Sequence, residues 1–292
     1  MLRIRGLEEG DFSDADDVLR AAFQVGLNVS FLPRLRRYLA LQPDGWLAAE
    51  DEGQLVGMVG AIDYGAFAYV GLMAVRPDRQ GQRLGRKLMD AVLGGLEARG
   101  TTCALLDASP AGAPLYERSG FADAGLSLEF AAEHESPAGG PPPLGLDHRL
   151  EAAIAVAAAG DVGDIARLDG ELLGAPRERL WRWLFASHPG HILVARLPDG
   201  TLAGYLCIQG PLLGPFGART PDVADALLDE AIRRLGHRHV RLQVPEDNTD
   251  ARALLQRSGF RVIRSLRHMR RGPCPTLAGW RSIYGKGSYC LG

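Results

Sequence analysis

The chain has little cysteine: four residues in 292, Cys103, Cys207, Cys274 and Cys290, with no C-x-x-C pair among them. Spacings this wide suit neither a disulfide framework nor a zinc site, so reduced thiols and a cytoplasmic location are expected. Long apolar runs are also missing. Residues 55–75 are the longest weakly charged stretch, but Asp63-Tyr64-Gly65 at their middle predicts a hairpin turn between two strands, not a membrane helix. The opening residues MLRIRGLEEGD lack the apolar segment of a signal peptide. Neither sign of charge is in excess: 33 Lys and Arg face 35 Asp and Glu. That balance argues against nonspecific nucleic-acid binding as the main task, while allowing a local anion site. The pairs His188/His191 and His237/His239 have no neighbouring cysteine or carboxylate at metal-ligand spacing, so packing or surface roles and no metal are expected.

What the sequence does contain is a repeat. Glu117-Arg118-Ser119-Gly120-Phe121 returns as Gln256-Arg257-Ser258-Gly259-Phe260, at an offset of 139 residues. At the same offset Leu88, Leu93, Leu96 and Leu115 fall on Leu227, Ile232, Leu235 and Leu254. A match that carries its helical apolar register with it reads as two copies of one fold. Between the copies lies ESPAGGPPPLG, residues 135–145, whose proline and glycine read as a linker. The expected organisation is a domain over residues 1–134, a linker over 135–147 and a second domain over 148–292.

Within the first copy, residues 2–5 predict a strand. Ser13-Asp14-Ala15-Asp16 resembles a capping box opening a helix to about Gln24. A second helical stretch follows at 31–41, then strands at 46–50, 55–63 and 66–75. A helix at 85–99, a strand at 102–107, a short helix at 114–119 ended by Gly120, and a strand at 126–131 complete it. Strands and helices mixed in this order indicate an α/β class with a mixed, α+β-like sheet. In the second copy Trp181 and Trp183, two positions apart, cannot share one helix face, so one is expected in the core and the other at an interface or pocket.

Two segments carry chemistry. The first is VRPDRQGQRLGRKL, residues 75–88, with five basic side chains and two glycines. Pro77 ends strand pairing, and the chain then enters a helix whose first amides lack intrahelical partners and whose dipole end is positive. Glycines let those amides approach an anion, and Arg83 and Arg86 add charge, so a phosphate or pyrophosphate is the expected occupant. The loop is neither a Walker loop nor G-x-G-x-x-G. The second segment is LLDASPAGAPLYERSGF, residues 105–121, a strand end and a Ser-Pro turn leading into a short helix that carries Tyr116.

Val75-Arg76-Pro77 with Gln80-Gly81-Gln82-Arg83-Leu84-Gly85 resembles the cofactor motif of the GNAT superfamily of acyl-CoA N-acyltransferases. Pro114-Leu115-Tyr116-Glu117-Arg118-Ser119-Gly120-Phe121 resembles that superfamily's second motif. The resemblance covers residues 1 to about 133, and it implies two tandem GNAT-like folds. It implies acetyl-CoA as cosubstrate, with the pantetheine arm entering a V-shaped opening between two strands and pairing with Met73, Ala74 and Val75. The pyrophosphate would rest on Gln80, Gly81, Gln82, Arg83, Leu84, Gly85 and Arg86, near Ser109. Arg83 stands where the motif's first glycine would be, and its Cβ narrows the pyrophosphate's approach.

The implied reaction is direct acetyl transfer to a primary amine, with Tyr116 protonating the departing thiolate. Amides around Met73 and Ala74 would stabilise the oxyanion, and Asp107 is a candidate proton acceptor. The second copy keeps the second motif, with Asn248 in the place of Ser109, but has Leu255 for the tyrosine. Asp222 falls at the position of Arg83 and both loop glycines are gone, so this copy is expected to bind no acyl-CoA in the usual way. The tail IYGKGSYCLG resembles the ending of some bacterial tandem members of the superfamily. The expectation is therefore an N-acetyltransferase with an active first half, or alternatively a non-catalytic acyl-CoA or metabolite sensor. Its acceptor would be a small-molecule or peptide amine; Phe23, Asn28, Phe31 and Arg34 are expected either to line its site or to pack a helix pair. No nucleic-acid or membrane partner is expected, and the protein would be a monomer or homodimer.

Overall fold

The structure is a computed structural model and describes residues 2–133, 152–236, 239–274 and 277–292. The linker expected at 135–147 lies outside them. The first half runs β1 (Arg3–Gly6), α1 (Phe12–Phe23), α2 (Leu32–Leu41), β2 (Trp46–Asp51), β3 (Gln54–Asp63), β4 (Ala68–Val75), α3 (Leu84–Ala98), β5 (Ala104–Ala108), α4 (Ala113–Arg118) and β6 (Ala122–Glu133). The second half follows the same order: β7 (Ala153–Val156), α5 (Val162–Leu173), α6 (Glu178–Ser187), β8 (Ile192–Arg196), β9 (Leu202–Gln209), β10 (Leu212–Ala218), α7 (Pro221–Leu235), β11 (His239–Pro245), α8 (Thr249–Arg257) and β12 (Arg261–Arg271). It then adds β13 (Ile283–Gly285). The mixed α/β class and the repeat are both present, element for element.

In each half four strands form an antiparallel meander, β1 to β4 and β7 to β10. The next strand joins in parallel, β5 on β4 and β11 on β10. A parallel neighbour needs a crossover, and α3 and α7 supply it. On α3, Leu84, Leu88, Met89, Val92, Leu93 and Leu96 recur at helical spacing and bury one face against the sheet. Alternate residues of β4 and β5 (Ala68, Val70, Ala104, Leu106, Ala108) meet that helix. By the two-residue period of a strand, Tyr69, Leu105 and Asp107 point to the opposite face.

The contacts divide the described chain into two compact units. The first comprises residues 2–124 together with 268–274; the second takes residues 125–133 and the remainder. Each half thus gives the end of its last strand to the other's unit. In the first unit β12 lies beside β5. In the second, β6 pairs antiparallel with β11, from Ser127 opposite Pro245 to Glu133 opposite His239. Residues 129 and 268 are equivalent positions of the repeat, so the exchange delivers Glu129 to the second unit and His268 to the first.

The exchange corrects the expectation of four reduced thiols. Cys103, just ahead of β5, is disulfide-bonded to Cys274, 171 residues away, with a Cα–Cα distance of 4.8 Å. Spacing along the chain carries no sign of this pair, because strand exchange, not local geometry, brings the two cysteines together. The bridge also removes the thiol argument for a cytoplasmic location. Cys207 and Cys290 are buried and stay outside any disulfide. The cap of α1 differs as well. The helix begins at Phe12, and Asp11 accepts from the Glu8 amide at 2.8 Å and from Arg5. Asp16 is buried instead, where its carboxylate accepts from the Phe31 amide at the start of α2. Trp181 is fully buried and Trp183 packs on His188, so the two tryptophans do separate.

On α7, Asp229 is half-buried beside Asp225; desolvation and that neighbouring charge push its carboxyl up to about 6. A raised carboxyl pKa weakens the fold wherever the group is ionised. The penalty is complete above about 6 and disappears below the ordinary carboxylate range. Asp229→Asn is expected to stabilise by ~1 kcal/mol at pH 7 after allowance for solvent screening, raising Tm by about 2–4 °C. Near pH 4 the gain should vanish. Thermal melts of both proteins at the two pH values check it.

Candidate active site

The first unit contains the V-shaped opening. Pairing between β4 and β5 ends at Tyr69–Leu105, yet β4 continues to Val75. Residues 70–75 therefore have backbone edges facing a gap. Inside this stretch the register against β3 shifts, from Met58–Ala74 to Gly60–Gly71, and Leu72 adopts a left-handed φ of 50°. A bulge of this kind bends a strand and re-aims its amides, and it sits at Leu72 and Met73, just ahead of Ala74.

Beyond β4, a turn of 3-10 helix at Pro77–Arg79 leads to the glycine loop. Gly81 and Arg83 both have left-handed backbone, φ 78° and 61°, and Arg83 is the residue that opens α3. The motif's usual glycine at this place is thus explained by backbone conformation as well as by room for an anion. The Lys87 amide donates to the Arg83 carbonyl at 3.1 Å, which leaves the amides of Leu84, Gly85 and Arg86 ahead of the first intrahelical bond. A Cβ on Gly85 would lie 3.1 Å from Leu115, so this glycine seats α3 against α4.

Three of the five basic side chains are committed locally. Arg76 pairs with Asp78 at 3.0 Å, and Arg79 with Asp51 at 2.9 Å. Arg86 pairs with Asp90 at 2.8 Å and also donates to the Arg118 carbonyl. Arg83 and Lys87 are exposed and pair with no carboxylate among the described residues. Gln80 is drawn back to the strand end, Nε2 donating to the Val75 carbonyl at 3.1 Å, while Gln82 is exposed.

At the opening's other wall, the Ser109 hydroxyl accepts from the Gly112 amide at 3.2 Å and shapes the turn into α4. Tyr116 is half-buried, edge-on to Phe121 at 6.1 Å, and lies over Gly112, where a Cβ would come within 3.0 Å of its ring. It packs on the α3 side of the sheet. On the opposite face, the side chain of Asp107 is fully buried; it accepts from the Tyr69 hydroxyl at 2.7 Å and lies 3.0 Å from His268 Nδ1. Sequence reasoning named Asp107 and passed over His268, which stands 161 residues away in the other copy. Of the residues expected to line the acceptor site, Phe31 is buried, packing on Phe23 at 5.7 Å and lying under the Arg34 guanidinium at 5.3 Å; Asn28 is exposed.

The second unit has the same frame, filled. Among the described residues β10 and β11 pair in parallel only at Leu212–Arg241, and β13 occupies the gap. Phe216 and Gly217 of β10 pair with Gly285 and Ile283, and the Lys286 amide donates to the Gln243 carbonyl of β11 at 2.7 Å. Asn248 is buried and holds the insert, donating to the Ile283 carbonyl at 2.9 Å. At the start of α7, Thr220 Oγ1 accepts from the Val223 amide at 3.4 Å, so this helix caps itself.

Residues 42–123 and 165–285 each match a family model described as an acetyltransferase (GNAT) domain. The chain belongs to this family and is an N-acetyltransferase with two GNAT domains in tandem. It is similar to an uncharacterized N-acetyltransferase of Bacillus subtilis, YitH, being 27% identical over 213 residues that cover 71% of each chain. The fold is also that of a solved Pyrococcus horikoshii protein assigned as an acetyltransferase, with a TM-score of 0.82 at 23% identity over all of this chain and 96% of that one. A tandem GNAT protein from the clavulanic acid biosynthesis pathway superposes with a TM-score of 0.64 at 16% identity, covering 94% of this chain and all of that one.

Proposed function

We propose that the first unit transfers an acetyl group from acetyl-CoA to a primary amine, and that the second unit is catalytically silent. One observation carries this reading: the strand opening between β4 and β5 pairs with no inserted strand among the described residues, whereas its counterpart between β10 and β11 holds β13. The pyrophosphate would rest on the amides of residues 81–86, with Arg83 beside it. The pantetheine arm would pair with the β5-facing edge at Met73, Ala74 and Val75, taking the place of the Gln80 side chain at the Val75 carbonyl. Ser109 supports the turn that presents Tyr116. Amides around Met73 and Ala74, at and just after the bulge, would stabilise the oxyanion.

The chemistry divides across the sheet. As the carbon–nitrogen bond forms, the carbonyl electrons move to oxygen. As the carbon–sulfur bond breaks, sulfur takes the electron pair and Tyr116 supplies its proton. The acceptor is a small-molecule or peptide amine approaching from the face opposite Tyr116. No described helix is long and apolar enough to cross a membrane.

Calorimetric titration with CoA, followed by acetylation of an amine panel, tests the reading. Wild type should bind one CoA. Arg83→Ala should bind it about 5- to 10-fold more weakly, as expected for loss of one charge-assisted contact. Arg83→Gly should lose the same contact yet melt higher than Arg83→Ala, because it removes a left-handed Cβ costing ~1 kcal/mol. Absence of CoA binding overturns the assignment, and binding without turnover on any amine would mark an acyl-CoA sensor.

A further inference from the structure

We propose that the acceptor is an apolar α-amino acid, held through its carboxylate by Arg34 and through its side chain by Phe23 and Leu27. The proposal rests on the reading of the first unit as the acetyl-transfer site. Place, surface and charge support it.

Place comes first. Leu47 and Ala49 of β2, like Ala68 and Val70 of β4, meet α3, so the two-residue period turns Trp46 and Tyr69 to the opposite face, the one an amine would approach. α2 packs on that face. Just past its last turn, Gln42 Oε1 accepts from the Asp63 amide at 3.4 Å, and Asp63 is paired with Ala68 at the start of β4. One turn earlier, Tyr38 stacks on Trp46 at 5.2 Å. Trp46 covers Gly60, where a Cβ would run into its ring, and Gly60 is paired with Gly71. The helix therefore climbs from the β3–β4 hairpin toward the opening. Arg34 is one further turn along, about 6 Å at ~1.5 Å per residue, which is about two residues of strand. That brings it level with Met73, beside the amides assigned to the oxyanion.

The surface there has two parts. Phe23, at the end of α1, is 43% exposed, and Leu27, in the loop to α2, is 89% exposed. Phe23 packs on Phe31 at 5.7 Å, and the Arg34 guanidinium lies over the Phe31 ring at 5.3 Å, so an apolar shelf and a cation are joined through one buried ring. The shelf is preset: Asp16 holds the Phe31 amide, Ser30 Oγ accepts from the Leu32 amide at 3.2 Å, and Pro33 fixes the first turn of α2. Charge completes the picture. No acidic residue occurs from Val18 to Pro43, a stretch that holds Arg20, Arg34, Arg36 and Arg37. Asp16 and Asp17, just before it, both pair with Arg20. Arg34 and Arg36 are exposed and pair with no carboxylate among the described residues. Such a lip attracts a carboxylate and repels polyamines. An α-amino acid carries its amine, carboxylate and side chain on one carbon, so it meets the shelf and the cation together and leaves nitrogen for the thioester. In the step itself a carbon–nitrogen bond forms and the carbon–sulfur bond breaks. Of the two protons the ammonium loses, one is balanced on sulfur and one goes to solvent, giving N-acetyl amino acid, CoA thiol and one proton.

The test uses the full chain, acetyl-CoA and four acceptors. L-Phenylalanine has every feature, L-phenylalaninamide lacks the carboxylate, glycine lacks the side chain, and spermidine is a polycation. Wild type should favour phenylalanine over each of the others by at least about 10-fold in kcat/KM. Arg34→Gln should lower the phenylalanine-to-phenylalaninamide ratio by about 10- to 100-fold, chiefly through KM, as for loss of one charge-assisted bond to a carboxylate. Arg34→Lys should recover part of that ratio. Phe23→Ala should lower the phenylalanine-to-glycine ratio by about 5- to 10-fold. A wild type that prefers phenylalaninamide or spermidine, or a ratio that Arg34→Gln does not move, overturns the proposal, since a residue that only packs the helix pair would slow all acceptors alike. Should a variant fail to fold, the wild-type order of the four acceptors decides. CoA titration separates the two levels. A wild type that binds no CoA removes the site itself, whereas CoA binding with turnover of spermidine or phenylalaninamide but not phenylalanine removes only the amino-acid assignment.

Discussion

Tyr116→Phe is expected to lower turnover by about 10- to 1000-fold, the range for a single positioned acid, with CoA affinity nearly unchanged. The ring does two things in the structure, and the substitution separates them. Its faces and edges pack on Gly112 and Phe121 and are kept by phenylalanine. The hydroxyl alone is lost, so α4 and the turn at Ser109 should stay in place. A thiolate expelled without a proton is a poor leaving group at neutral pH, and the barrier rises by the cost of taking that proton from water. Thiol release measured with and without the variant checks it, alongside CoA titration. Unaltered turnover would remove Tyr116 from the mechanism, and a parallel loss of CoA binding would mean that the hydroxyl serves the site's structure.

Arg177→Met is expected to destabilise the protein by about 3–5 kcal/mol, the penalty for leaving one member of a buried ion pair alone. Arg177 is 2% exposed and Asp169 is not exposed at all. Two parallel bonds of 2.8 Å join them, and Asp169 also accepts from Trp181 Nε1 at 2.9 Å and from the Tyr205 hydroxyl. Burial and the adjacent carboxylate push the Tyr205 phenol well above its ordinary value, so it stays a neutral donor. The third guanidinium nitrogen reaches the carbonyls of Leu291 at 2.9 Å and Gly292 at 2.8 Å. Arg177 therefore fastens the tail that follows β13 while neutralising the carboxylate. Denaturant unfolding should show the loss, and the double variant Asp169→Leu/Arg177→Met should recover a good part of it, because no charge is then left buried. A single variant within ~1 kcal/mol of wild type would contradict this account of the tail.

Much of the frame was legible without coordinates. Helix and strand periods placed nearly every element of the first half, because burial of one face is written in the local order of side chains. Loop glycines, a proline at the strand end and a tyrosine after a Ser-Pro turn marked the opening's two walls. Other features left no local trace. Arg83 conceals a left-handed position that glycine would have advertised. Asp16 reads as a helix cap and is a buried acceptor for another helix. Asn248 reads as a motif residue and holds an inserted strand. His268 sits in a charged, unremarkable run, RSLRHMRR, with no motif around it.

By itself the sequence determined two copies of one mixed α/β plan, the glycine loop at the head of α3 and the loss of that loop from the second copy, since each depends on neighbours a few positions apart. Only the tertiary structure decided that the copies exchange strand ends, that Cys103 meets Cys274, that β13 fills the second opening and that His268 reaches Asp107. These are choices among strand edges more than a hundred residues apart. Backbone hydrogen bonding accepts any edge of suitable length, so pairing at that range is settled by which gap each strand can fill once the cores have packed.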